Sequence, residues 1–130
     1  PVLRDLSRDH HQLLLLARNL RGDGKRDAAA AWEALQAWWP AIEAHFILEE
    51  SCIARLAGGL APRMKAEHDQ IRTMAQNPSR AAELGRLLRD HVRFEENEVF
   101  QHLQTALTQE QLAAIGAQLS HPTGLQACRL

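Results

Sequence analysis

The chain has 130 residues, 45% of them hydrophobic, and fifteen basic side chains stand against sixteen acidic ones for a formal net charge of -1. That length suffices for one domain with a real core, and the balanced charge, with no long run of Lys or Arg, argues against nucleic acid or a membrane surface as partner. Cys52 and Cys128 are too few and too far apart for a disulfide framework or a thiolate zinc knuckle, and the longest uncharged apolar run, Leu13 to Ala17, is far short of a bilayer span, so a soluble, cytoplasmic protein is expected.

There is no Tyr, Val and Thr are sparse, and Ala, Leu, Gln, Glu and Arg fill the sequence, which makes the fold class all-α. A first helix is expected from about Leu3 to Leu20, ending at Arg21-Gly22-Asp23-Gly24, with Leu3, Leu6, His10, Leu13, Leu14, Ala17 and Leu20 on one face. A second should start after an Asp27 cap and run to Leu56, kinked or broken early at Pro40, which cannot donate a backbone hydrogen bond. Its inner face collects Leu35, Trp38, Ile42, His45, Glu49, Cys52 and Leu56.

The third helix opens near Pro62 and stops before Asn77-Pro78, with Met64, His68, Ile71 and either Met74 or Ala75 turned in. A fourth follows from Ser79 to about Leu107, with Leu84, Leu87 or Leu88, His91, Glu95, Val99 and His102 as its stripe. Thr108 to Gln111 can form a capping box for a last, shorter helix that ends before Pro122. Aligning Asp9-His10 with Glu67-His68 puts the halves in register as helix pairs, about residues 3–57 and 60–107, followed by a C-terminal helix and tail over 108–130. The expected architecture is therefore a single domain over residues 1–130, an antiparallel up-down-up-down four-helix bundle with a short extra C-terminal helix.

One pattern occurs twice on the inward stripes: His45-Phe46-Ile47-Leu48-Glu49-Glu50 and His91-Val92-Arg93-Phe94-Glu95-Glu96. A histidine and a glutamate four residues apart lie one above the other on a helix, so each copy aims an imidazole and a carboxylate at one point. Glu49 and Glu95 occupy positions where the apolar pattern calls for Leu or Ile, and buried charge is costly unless something compensates it. The candidate metal ligands are His10, His45, Glu49, His68, His91 and Glu95. Imidazoles with carboxylates suit zinc, iron, nickel or manganese, and six ligands shared over two centres leave coordination positions open, which favours iron. His-Glu-x-x-His, the zinc-protease signature, and the Glu-x-x-His repeats of ferritin-like bundles are absent.

Around these six, several residues have two readings. His11 competes with His10 for one slot, and His10 is preferred because it matches His68 in the repeat and shares the face of Leu6 and Leu13. Glu50 and Glu96 either orient ligand imidazoles or are solvated flank charges. His102 either lines the end of the cavity or is a plain polar residue. Cys52 is either a redox-sensitive group near the pocket or a small buried hydrophobe.

The ordered set of acid-His, His-x3-Glu-Glu, Glu-His and His-x3-Glu-Glu resembles the hemerythrin-like, or HHE cation-binding, domains over roughly residues 3–104. The resemblance implies a non-haem di-iron centre with His10, His45, His68 and His91 as terminal ligands and Glu49 and Glu95 as bridges; the donor set also admits manganese or zinc. Where the oxygen-carrying members have a second histidine one turn after that of the third helix, this chain has Arg72. Where they end on a histidine and an aspartate five residues on, it has His91 and Glu95. Both departures point to the broader bacterial group. The function expected is binding, sensing or detoxification of a small ligand such as dioxygen, nitric oxide or peroxide. The alternatives are an iron-dependent enzyme or iron-sulfur cluster repair factor, and a metal-free helical interaction module.

Overall fold

A computed structural model describes residues 4–25 and 27–118. The expectations for Leu3, for the Leu6 side chain, for Cys128 and for the tail fall outside the described residues. All regular structure among these residues is helical: α1 (Arg4–Leu20), α2 (Ala28–Leu48), α3 (Ala61–Met74), α4 (Ala81–Phe94), α5 (Phe100–Ala106) and α6 (Gln109–Gln118). The fold is a helical bundle, in which α1 packs most extensively on α4 and also on α2, and α3 packs on α4. No helix among the described residues is long and apolar enough to cross a membrane.

Local chemistry accounts for the helix ends. Asp27 has extended backbone geometry and its side chain accepts from the Ala30 backbone N–H at 2.8 Å, so α2 starts at Ala28. Thr108 and Gln111 bond reciprocally at 2.9 and 3.1 Å ahead of α6, as a capping box requires. At Asn77 the side chain accepts from the Ser79 backbone, and a single 3-10 turn, Pro78–Arg80, precedes α4, which therefore begins at Ala81 and not at Ser79. Pro40 neither breaks nor ends α2. Its missing donor costs one helical bond, whereas burial of Leu35, Trp38 and Ile42 on either side of it is worth roughly 1.5–3 kcal/mol per large side chain, so packing outweighs the lost bond.

The second and fourth helices depart from the expected periodicity at the same point of the repeated pattern. At Glu49–Ile53 and again at Glu95–Val99 the backbone widens into a π turn, in which the carbonyl of the glutamate accepts from the N–H five residues on, that of Ala54 or of Phe100. A regular α-helix turns about 100° per residue, so four-residue steps walk a stripe about 40° off the face each time. The π turn absorbs this drift. The buried series accordingly runs His45, Glu49, Ile53, Ala57 and His91, Glu95, Val99, Leu103. Cys52 and Leu56, expected to face in, are only partly buried, and His102 is exposed. Cys52 packs at the edge of an apolar cluster and His102 does not line the site.

Two apolar layers result. One contains Leu13, Leu16, Leu20, Leu35, Ile42, Phe46, Ile71 and Leu88; the other contains Ile53, Met64, Phe94, Val99, Phe100 and Leu103. On α2, α3 and α4 the buried stripe passes from one layer to the other through a histidine: His45 lies between Ile42 and Ile53, His68 between Met64 and Ile71, and His91 between Leu88 and Val99. A polar layer is thus held between two dry ones.

Close approach of α1 and α4 keeps that layer together. A Cβ added at Gly85 would lie 2.6 Å from the Ala17 carbonyl oxygen and 2.7 Å from the Arg21 side chain, and the backbone oxygen cannot move aside as a side chain can. Gly85→Ala would gain up to about 1 kcal/mol of helix propensity but overpack the crossing at a cost of about 1–3 kcal/mol. Net destabilisation in urea unfolding is the expected result, and a variant more stable than the parent would contradict this packing.

Candidate metal centre

The structure brings all six candidate side chains into the polar layer. His10, His45, Glu49, His68, His91 and Glu95 are each at most 1% exposed. They form two quartets, His10, His45, Glu49 and Glu95 on one side and Glu49, His68, His91 and Glu95 on the other, each offering ligand atoms that lie within 4.8 Å of one another. Both glutamates belong to both quartets. His11, the competitor of His10, is exposed.

The inward atoms are poised but unsatisfied. Nε2 of each of the four histidines and both carboxylate oxygens of Glu49 and Glu95 are buried without a hydrogen-bond partner, a state that buried polar groups in stable proteins rarely tolerate. Yet they are close: His10 Nε2 lies 2.9 Å from Glu95 and 3.6 Å from Glu49, His45 Nε2 is 3.4 Å from Glu49, His68 Nε2 is 3.2 Å from Glu49 and 3.7 Å from Glu95, and His91 Nε2 is 3.2 Å from Glu95. An ion with nitrogen and oxygen ligands at about 2.0–2.2 Å sets adjacent donor atoms roughly 3.0–3.6 Å apart. The donors are therefore spaced like the edges of a coordination polyhedron, and the residues fit a metal.

Behind the histidines stands a second set of acids. Each Nδ1–H donates to a carboxylate: His45 to Asp9 at 2.9 Å, His68 to Glu50 at 2.7 Å, His91 to Glu67 at 2.7 Å and His10 to Glu96 at 3.4 Å. Every acid comes from a neighbouring element and never from the histidine's own. Asp9 on α1 holds a histidine of α2, Glu50 after α2 holds one of α3, Glu67 on α3 holds one of α4, and Glu96 after α4 holds one of α1. The bonds close a ring around the bundle. Placing the proton on Nδ1 turns each Nε2 lone pair inward, which is the tautomer a metal takes.

Sequence reasoning left Glu50 and Glu96 undecided and gave Asp9 and Glu67 no role beyond standing beside a histidine. A signal was present: each of the four acids is the direct chain neighbour of a buried ligand candidate, Asp9 of His10, Glu50 of Glu49, Glu67 of His68 and Glu96 of Glu95, turned about 100° from it and so aimed at the adjoining helix. Two aromatic rings complete the enclosure. Phe46 stacks on His68 with centroids 4.1 Å apart and planes 15° from parallel, and Phe100 stacks on His10 at 5.3 Å and 8°.

Electrostatics in the metal-free layer follows from this geometry. Burial pulls the His68 pKa down, but the Glu49 and Glu95 carboxylates more than reverse this and carry it up to about 10. Burial likewise lowers His45, while Glu49 and Asp9 raise it to about 9. His10 and His91 move upward against burial too, through Glu49, Glu95 and Glu96 in one case and Glu95 and Glu67 in the other. Burial and the charge of Glu49 push Glu95 up, yet His91, His10 and His68 bring it down to about 2. In the absence of metal, protons on imidazole nitrogen are what balances the two carboxylates.

The family model of the hemerythrin HHE cation-binding domain matches residues 2–103. The chain belongs to the hemerythrin HHE cation-binding family. In this hemerythrin domain the match takes in every residue of both quartets and all four outer acids, and it ends ahead of α6, which packs on the Glu49–Ile53 turn. No curated protein and no solved structure matches the chain. A buried His/Glu cluster that fits a metal, inside a domain of a cation-binding family, makes cation binding the coarse function of the chain.

Proposed function

We propose that the protein holds two iron ions bridged by Glu49 and Glu95, one also bound by His10 and His45 and the other by His68 and His91, and that it binds a small ligand such as dioxygen, nitric oxide or peroxide at the positions left open. The observation that carries this reading is the sharing of both glutamates between two His-His-Glu-Glu quartets whose donor atoms have no other partner. Iron, when bound, supplies a Lewis-acidic and redox-active centre with vacant coordination positions.

The rest is the work of the chain. Asp9, Glu50, Glu67 and Glu96 hold the imidazoles in the metal-binding tautomer. The apolar layers on both sides exclude bulk water, and the stacked Phe46 and Phe100 rings fix the planes of His68 and His10. Nothing in the layer resembles a separate general base or a pocket for a larger substrate, so binding, sensing or detoxification of a diatomic or peroxide is favoured over a dedicated enzyme. The two widely separated cysteines and the absence of a membrane-length helix among the described residues support a cytoplasmic location.

Metal quantification on the purified protein, paired with absorption spectra before and after exposure to oxygen and to nitric oxide, tests the reading. Two irons per chain with ligand-dependent charge-transfer bands are the expected result. One zinc per chain and a featureless spectrum would replace it.

A further inference from the structure

Arg72 lies one helical turn after His68 and does not point into the polar layer. Its guanidinium bridges three acids on two helices and a turn: Glu43 of α2 through Nε at 2.8 and 3.1 Å and Nη2 at 2.6 Å, Asp69 of its own helix through Nη1 at 2.9 Å, and Glu50 through Nη1 at 2.9 Å. The Glu50 oxygen that takes the Nη1 bond is the one that accepts from His68 Nδ1 at 2.7 Å. A continuous chain of charge-assisted bonds therefore runs from Glu43 through Arg72 and Glu50 to a candidate ligand imidazole.

We infer that Arg72 is a positioning residue for one ion only, the one in the His68, His91, Glu49 and Glu95 quartet, acting by pinning Glu50 against His68; this rests on the two-ion reading above. Glu50 is 20% exposed and sits on a flexible stem, with Lys65 the other cation near it at 3.6 Å. Freed from Arg72, its carboxylate can turn to water, and His68 Nδ1 loses the partner that fixes ring and tautomer. Loss of the guanidinium charge would by itself favour cation binding, but this group is part-exposed and already faced by three carboxylates, so the change in field at the metal is screened. Orientation outweighs charge. His10 and His45 take their acids from Glu96 and Asp9, which Arg72 does not touch.

The test is a titration of the metal-free full chain with cobalt(II), read by its visible spectrum and by isotherm, for the parent, Arg72→Gln, Arg72→Lys and Glu43→Gln. Arg72→Gln should weaken one of two steps by 10–100-fold and leave the other unchanged. Arg72→Lys, which keeps a cation for Glu50, should restore most of that loss, and Glu43→Gln, which removes only a brace on Arg72, should show a smaller loss in the same step. A fall in melting temperature of the metal-free protein with both steps unaltered would make Arg72 merely structural and overturn the inference. Equal weakening of both steps would overturn it too. A parent that binds a single ion would overturn this inference together with the two-ion reading, whereas two parental steps indifferent to Arg72→Gln would remove the inference alone.

Discussion

Replacing His45, Glu49, His91 and Glu95 together with leucine should abolish metal loading and at the same time make the metal-free protein more stable. The four carboxylate oxygens of Glu49 and Glu95 are buried without hydrogen bonds, in positions that lie on the apolar stripes of α2 and α4, and leucine has a similar volume. Exchanging buried charge for well-packed hydrophobic groups is often neutral or stabilising by about 1–4 kcal/mol. In the loaded protein the sign reverses. An ion present at a thousandfold excess over its Kd stabilises the folded state by about 4 kcal/mol, so two ions contribute roughly 8 kcal/mol that the variant cannot gain. For a chain of this size that is on the order of 25 °C in Tm. Thermal unfolding of both proteins, once in chelator and once with ferrous iron under anaerobic conditions, should therefore cross over: variant above parent in chelator, far below it with iron. A variant that melts below the parent in chelator would mean that the imidazole–carboxylate pairs stabilise the fold unaided, and one that iron stabilises as much as it does the parent would remove these residues from the metal site.

Metal affinity should rise steeply with pH between about 6 and 8. His45 at about 9 and His68 at about 10, with His10 and His91 also raised, hold protons on the nitrogens an ion needs. With two imidazoles in each quartet, binding expels up to about two protons per ion, or up to roughly 100-fold in apparent affinity per pH unit. The metal-free fold follows the opposite course. Histidines whose pKa is raised by folding stabilise it fully below their ordinary value of 6.5, and this is lost as pH climbs through about 9 to 10. Glu95, lowered to about 2 from 4.5, stabilises it above 4.5, and this is lost as pH falls toward 2. The metal-free chain should thus be most stable between about pH 4.5 and 6.5, where metal binds poorly. Proton release on metal addition in weak buffer, together with competition titrations at three pH values, measures both halves. An affinity flat with pH would show that the imidazoles carry no protons to displace.

Much of the fold could be read from the chain because its cues are local. Asp27 and the Thr108–Gln111 box act within one turn of the helices they cap, and the histidines stand out because their neighbours on the stripe are Leu and Ile. What stayed hidden depends on relations between helices or on departures from an even helical pitch. A period of 3.6 residues places Cys52, Leu56 and His102 inward; the π turns at Glu49 and Glu95 substitute Ile53, Ala57 and Leu103. Buried positions repeating at strict intervals of four were the available sign of this. The need for Gly85 shows only when Ala17 is placed against it. Glu50 and Glu96 could be assigned only once the adjoining imidazole was in view.

The ring of acids also constrains the order in which the protein can come into being. With only its first helix pair folded, the chain would have Asp9 ready for His45, but Glu96, which His10 requires, would not yet be in place, and Glu50 would have no His68 to receive it. Neither quartet exists before the last of the four long helices has docked, since Glu95 belongs to both. A complete quartet is therefore the property of a finished chain, and each ion's full set of donors reports that all four long helices are in place.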